Sequence, residues 1–107
     1  MQVSMQVFGR KRDSLRKRIS DDLCDRPHDV LYVEEFKNPE RRPGWAKILG
    51  RGLTGAINIS WNASAHMLMV RAIAKKGNTP HELLGTFLSY LFERHGRRIA
   101  SINIQLR

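Results

Sequence analysis

The sequence predicts a single α+β domain over residues 1–107, with a mostly antiparallel sheet of about five or six strands and two helices packed on it. Three observations carry this expectation. Apolar and polar residues alternate at both ends of the chain and in its middle, the two-residue period of a strand with one buried face. Two longer stretches repeat their apolar residues at helical spacing instead. Clusters of glycine, proline and asparagine separate the stretches and set the order β-α-β-β-β-β-α-β.

Val3, Met5 and Val7 alternate with Gln2, Ser4 and Gln6, and Gly9 breaks this first strand. From Arg10 to about Cys24, the apolar Leu15, Ile19 and Leu23 line one narrow face of an otherwise charged helix. Arg26-Pro27-His28 ends it. Val30 to Phe36, rich in β-branched and aromatic residues, reads as the next strand. The prolines and glycine of Asn38 to Gly44 exclude a regular element there. Trp45 to Leu49 forms a short strand and Gly50-Arg51-Gly52 a turn.

The clearest hairpin follows. Ile57, Ile59 and Trp61 alternate with Asn58 and Ser60, Asn62 to Ala65 turns the chain, and Met67 to Ala74 returns it. This return is nearly all apolar, the pattern of a central strand covered on both faces. Thr79-Pro80-His81-Glu82 has the form of a capping box with proline at the first helical position. Losing the Thr79 hydroxyl is therefore expected to cost about 1 kcal/mol. Leu83, Leu84, Phe87, Leu88, Leu91 and Phe92 make a broad apolar stripe, and Gly96 supplies the stop. Arg94, His95, Arg97 and Arg98 suit the negative end of that helix. Ile102, Ile104 and Leu106 alternate with Ser101, Asn103 and Gln105 as a closing strand.

The 19 Lys and Arg against 10 Asp and Glu leave a net charge of +9, and such a surface attracts polyanions, nucleic acid first. The excess is uneven: bases dominate residues 1–20, acids dominate 21–40, and no acid occurs between Arg41 and Asn78. A lone cysteine, Cys24, rules out an internal disulfide and points to a reducing compartment, the cytoplasm. No apolar stretch approaches the length of a membrane span, so no membrane partner is expected. The bases at Arg10 to Arg12 follow an apolar patch, the reverse of a secretory signal.

Gly50-Arg51-Gly52-Leu53-Thr54-Gly55 spells G-x-G-x-x-G, but a dinucleotide site needs a helix after it and here a strand follows. Two readings remain, a glycine-rich turn chosen for backbone freedom and an anion-binding loop in which Arg51 meets a phosphate. Arg10, Lys11 and Arg12 with Arg16, Lys17 and Arg18 place two basic triplets on one expected helix, able to track a phosphate backbone. Arg41 and Arg42 extend the basic set, as do Arg97 and Arg98 if the fold brings them together. The four histidines stand at no metal-ligand spacing, and neither a metal nor a cofactor is expected. Cys24, at the end of an amphipathic helix, is read as packing. No catalytic triad or paired-carboxylate motif occurs.

These observations favour a non-enzymatic nucleic-acid-binding protein that contacts mainly the phosphate backbone. Its expected contact residues are Arg10, Lys11, Arg12, Arg16, Lys17, Arg18, Arg41, Arg42 and Arg51. Trp45 and Trp61 sit in apolar strand contexts without an aromatic RNA-recognition run, which argues against base stacking. The alternative is a protein-interaction module, such as a homodimer self-associating through an edge strand, either Val3 to Val7 or Ile102 to Leu106. A third reading is a small basic ribonuclease of toxin type, in which a histidine and arginines would do the chemistry.

Overall fold

The computed structural model describes residues 1–34 and 45–106. The expected loop from Asn38 to Gly44, the Phe36 end of the second strand, and Arg41 and Arg42 lie outside the described residues.

Six strands and two helices follow one another in the expected order. They are β1 (Gln2–Gly9), α1 (Leu15–Asp25), β2 (Leu31–Glu34), β3 (Ala46–Gly50), β4 (Ala56–Asn62), β5 (Met67–Ile73), α2 (His81–His95) and β6 (Ile99–Leu106). A 3-10 turn, Gly96–Arg98, joins α2 to β6. The strands form one sheet in the order β2-β3-β4-β5-β1-β6, with every neighbouring pair antiparallel. Strand direction therefore alternates across the sheet. α1 links the parallel pair β1 and β2, and α2 links the parallel pair β5 and β6, so each helix is a crossover over the sheet.

Alternation along each strand gives the sheet two chemically different faces. Val3, Met5, Val7, Ile48, Ile57, Ile59, Leu68 and Val70 are buried together with Leu15, Ile19 and Leu23 of α1. Leu83, Phe87, Tyr90 and Leu91 of α2 complete the same cluster, so both helices cover one face. Burying each large aliphatic side chain contributes about 1.5–3 kcal/mol. β5 is interior, as its apolar run suggests, yet only one of its faces is covered. Met69 is 48% exposed, Ile73 is 36% exposed, and Arg71 points to solvent between them. The run misleads because the apolar Met67, Met69 and Ile73 stand on the face that has no helix.

Three further expectations change. β1 is no edge strand: β5 and β6 pair with it on either side, and the edges are β2 and β6. α1 begins at Leu15, because Ser14 Oγ accepts from the Lys17 backbone N–H and caps the helix there. The preceding chain is held out of the helix by bonds from Gly9 N to the His66 carbonyl and from Arg10 N to the Arg98 carbonyl. Arg10, Lys11 and Arg12 thus occupy a bend, and the two basic triplets do not share one helix.

The capping box before α2 does not form. Pro80 is the N-cap, its carbonyl accepting from Leu84 N, and no side chain caps the helix. Pro80 is buried beside Gly55, so the helical ladder starts one residue too late for Thr79 to reach it. Gly55 itself is required: its φ is +102°, and an added Cβ would lie 2.7 Å from the Ile73 carbonyl oxygen.

Ser14→Ala should therefore lower stability by about 1 kcal/mol, whereas Thr79→Ala should stay within about 0.5 kcal/mol of the parent. Urea unfolding of the two variants checks this, and a larger loss at Thr79 would return the cap to that residue.

Candidate nucleic-acid interface

The register of β1 against β6 assembles the main basic cluster. Phe8 pairs with Ser101 and Gly9 with Ile99, so the chain leaving β1 runs beside the chain entering β6. This brings Arg10 and Lys11 against Arg97 and Arg98. Arg10 N donates to the Arg98 carbonyl at 2.8 Å, and Arg10 Nε to the Ile99 carbonyl at 3.1 Å. Lys11, Arg97 and Arg98 then line one open groove of about 620 Å³ with Glu93 and Arg94. Arg12 borders a neighbouring hollow formed by Ala63, Ser64 and His66 of the β4–β5 turn.

Arg18 of the second triplet joins the same cluster through Asp13. Its carboxylate accepts from Arg18 Nε and from Arg98 Nη1, the latter at 3.2 Å. The Arg18 hydrogen bond, followed by the two positive charges, holds the Asp13 carboxyl below the usual carboxylate range. Arg16 is only half accessible, and its buried Nε has no hydrogen-bond partner among the described residues. Lys11, Arg12, Lys17 and Arg97 are exposed and form no ion pair among the described residues.

Arg51 does not belong to this cluster. The β3–β4 turn lies at the opposite end of β4 from the β4–β5 turn, and Arg51 is spent on holding it there. Its guanidinium donates to the His28 and Asp29 carbonyls at 3.0 and 3.4 Å and stacks over the Tyr32 ring at 5.2 Å. Its own N–H donates to the Val30 carbonyl.

A second polar group looks catalytic in composition and is structural in geometry. Tyr90 Oη donates to Asp22 Oδ2 at 2.7 Å and lies 2.9 Å from His95 Nε2, and Arg94 Nη1 donates to the same carboxylate oxygen at 3.1 Å. The single phenolic proton goes to Asp22, so the oxygen accepts from a neutral His95 protonated on Nε2. Burial, with Arg98, Arg18 and Arg94 nearby, pushes the His95 pKa down against the pull of Asp22. Burial would raise Asp22, but the hydrogen bonds from Tyr90 and Arg94 outweigh it and hold the carboxyl low. Burial and Asp22 together drive the Tyr90 hydroxyl far up. Tyr90 is fully buried, and His95, 7% exposed, edges the groove of Lys11, Arg97 and Arg98 while its Nε2 is held on the phenol, so the cluster ties α1 to α2. His28 is likewise engaged, its Nδ1 accepting from the Val30 and Leu31 amides.

The face of the sheet without helices is polar and ordered. Lys47, Asn58, Arg71, Ser4 and Gln105 pair in register as one row across β3, β4, β5, β1 and β6. Beside that row a groove of about 210 Å³ is bounded by Trp45, Ser60, Met69 and Gln6. Trp45 precedes the buried Ala46 by one residue and so takes the open face, half-exposed, where its apolar sequence context suggested burial. Trp61 turns the other way and packs on the core.

No family model matches the chain, and no curated protein and no solved structure matches it either. Its chemistry is therefore read from these surfaces.

Because His95 has a lowered pKa, the unfolded chain takes up its proton first as pH falls past the ordinary value of 6.5. Its contribution is complete above that pH and lost below it. Asp22, also lowered, adds a loss of the same sign at more acid pH, below its ordinary 3.8. The urea midpoint should thus drop between pH 7.5 and pH 5, and His95→Gln should flatten that drop. A wild-type midpoint level over this range would show that His95 is not held neutral.

Proposed function

We propose that this chain is a non-enzymatic nucleic-acid-binding protein that grips the phosphate backbone at the end of the sheet where β1 stops and β6 begins. One observation carries the reading: residues separated by 89 positions, Arg10 and Ile99, are bonded there, so Arg97 and Arg98 join Arg10 and Lys11. Clustered Lys and Arg replace the condensed counterions of a nucleic acid, and their release drives association. Guanidinium groups add paired donors matched to phosphate oxygens. The engagement of His28 and His95 by backbone amides and by Tyr90 supports binding over a ribonuclease reaction. No helix among the described residues is long and apolar enough to cross a membrane, and Cys24, exposed and not packed as its place on the helix suggested, suits a reducing cytoplasm.

Arg16 and Arg18 are poor probes of this surface, since one is half-buried and the other holds Asp13. Lys11, Arg12 and Arg97 are better, because they are exposed and form no ion pair among the described residues. On duplex DNA the wild type should lose affinity steeply with salt, by about 0.9 in log–log slope per phosphate neutralised. The combined Lys11→Ala, Arg12→Ala, Arg97→Ala variant should flatten that slope by roughly one to three contacts without changing sequence preference. Circular dichroism is the control for folding. Absence of wild-type binding at low salt, or a full slope in the folded variant, overturns the proposal.

A second reading, self-association, rests on β6. This edge strand runs eight residues without a charge, and its Ile104 and Leu106 are 44% and 74% exposed on the helix-bearing side. The other edge, β2, carries the charged Glu34 among its described residues, and a charge on an edge strand guards against pairing. Two copies of β6 can pair antiparallel about a twofold axis. Sedimentation should then give a dimer that Ile104→Lys converts to a folded monomer. A wild type that stays monomeric at high concentration removes this reading.

A further inference from the structure

We infer that the open face of the sheet holds an unpaired nucleobase of a single strand, stacked on Trp45 with its flanking phosphate on Arg71. The inference rests on the nucleic-acid reading and adds to it a surface separate from the basic end.

Four features support it. Both helices lie on the other face, so among the described residues no element covers this one over its central strands. Among the described residues Arg71 is exposed and makes no ion pair, although it stands in the middle of the sheet beside Asn58 and Ser4. Lys47 adds a second cation in the same row, and Glu34, opposite it at the β2 edge, is the one acid on this face among the described strands. That charge balance fits a phosphate and opposes face-to-face pairing of two copies, which would bring the Arg71 and Lys47 rows together.

The groove's dimensions and walls specify the ligand further. At about 210 Å³ it falls below the roughly 300 Å³ at which clefts for drug-sized molecules begin, room for one heterocycle. The Trp45 indole and the Met69 thioether give it apolar walls, while the Asn58 amide and the Nε2 donor of Gln6, whose Oε1 accepts from Asn103 Nδ2 at 2.8 Å, face base edges. Every base has a π-face, so stacking on an indole tolerates sequence. A duplex keeps its bases stacked inside and has none to offer.

Fluorescence anisotropy with a labelled thymidine single strand and with a duplex of the same length tests this at one ionic strength. Arg71→Ala and Trp45→Ala should each weaken single-strand binding by about tenfold and leave duplex binding within about twofold. The Lys11, Arg12 and Arg97 variant should weaken both. Trp45 is half-buried, so if its variant is not folded the exposed Arg71→Ala decides alone. Unchanged single-strand affinity in Arg71→Ala, with wild-type duplex binding intact, overturns this inference and leaves the proposed function standing. Failure of the wild type to bind either probe at low salt overturns both.

Discussion

Strand β1 is hydrogen-bonded along both edges, from Gln2 to Phe8 against β5 and from Val3 to Gly9 against β6. Met5 sits opposite Val70 on one side and Ile104 on the other, so the first strand of the chain is the seam between its middle and its end. A strand so placed presents no free backbone, and each of its amides has a partner away from water. Its buried Val3, Met5 and Val7 supply the core beneath both helices. The same register places Ser4 in the polar row on the open face and Gly9 beside Ile99 at the basic end. Core, open face and basic cluster all follow from this one alignment, and a slip of one residue would exchange the two faces.

Putting both helices on one face has a cost that the fold meets with polar chemistry. α1 carries a narrow apolar stripe, and its accessible surface is charged. Its tie to α2 includes Asp22, which accepts from Tyr90 and Arg94, with His95 bonded behind the phenol. A buried carboxylate without such partners would be strongly unfavourable, whereas this one has two charge-assisted or hydroxyl donors. Arg94 also donates to the Arg26 carbonyl, which caps the end of α1 from outside the helix. The acidic stretch after residue 20 thus acts partly as an internal partner for arginine.

The cations divide by what holds them. Arg10, Arg18, Arg51, Arg94 and Arg98 are bonded to carbonyls or carboxylates of the chain itself. Lys11, Arg12, Lys17, Arg97 and Arg71 project outward without an ion pair among the described residues. The first group orders the backbone, and the second sets the potential that a polyanion meets. Asp13 bonds both Arg18 and Arg98 at the protein surface.

Chain-local patterning determined the number, type and order of the elements. Val3, Met5 and Val7, the hairpin of Ile57, Ile59 and Trp61, and the stripe of Leu83, Leu84, Phe87 and Leu91 read correctly, because periodicity reports how near neighbours share a face; of the same expected stripe Leu88 is only partly buried and Phe92 is 62% exposed. The two basic triplets and the isolation of Cys24 were equally plain. Tertiary structure alone decided which face each strand turns to a helix, and hence that Met69, Arg71 and Trp45 meet solvent. It also moved the cap to Ser14, took Arg51 away from the other cations, and brought Arg97 and Arg98 to Arg10. Each of those outcomes depends on pairing between segments far apart in the chain, above all β1 with β6. Such pairing is selected by the joint burial of all six strands and two helices, an energy that no short window of residues contains.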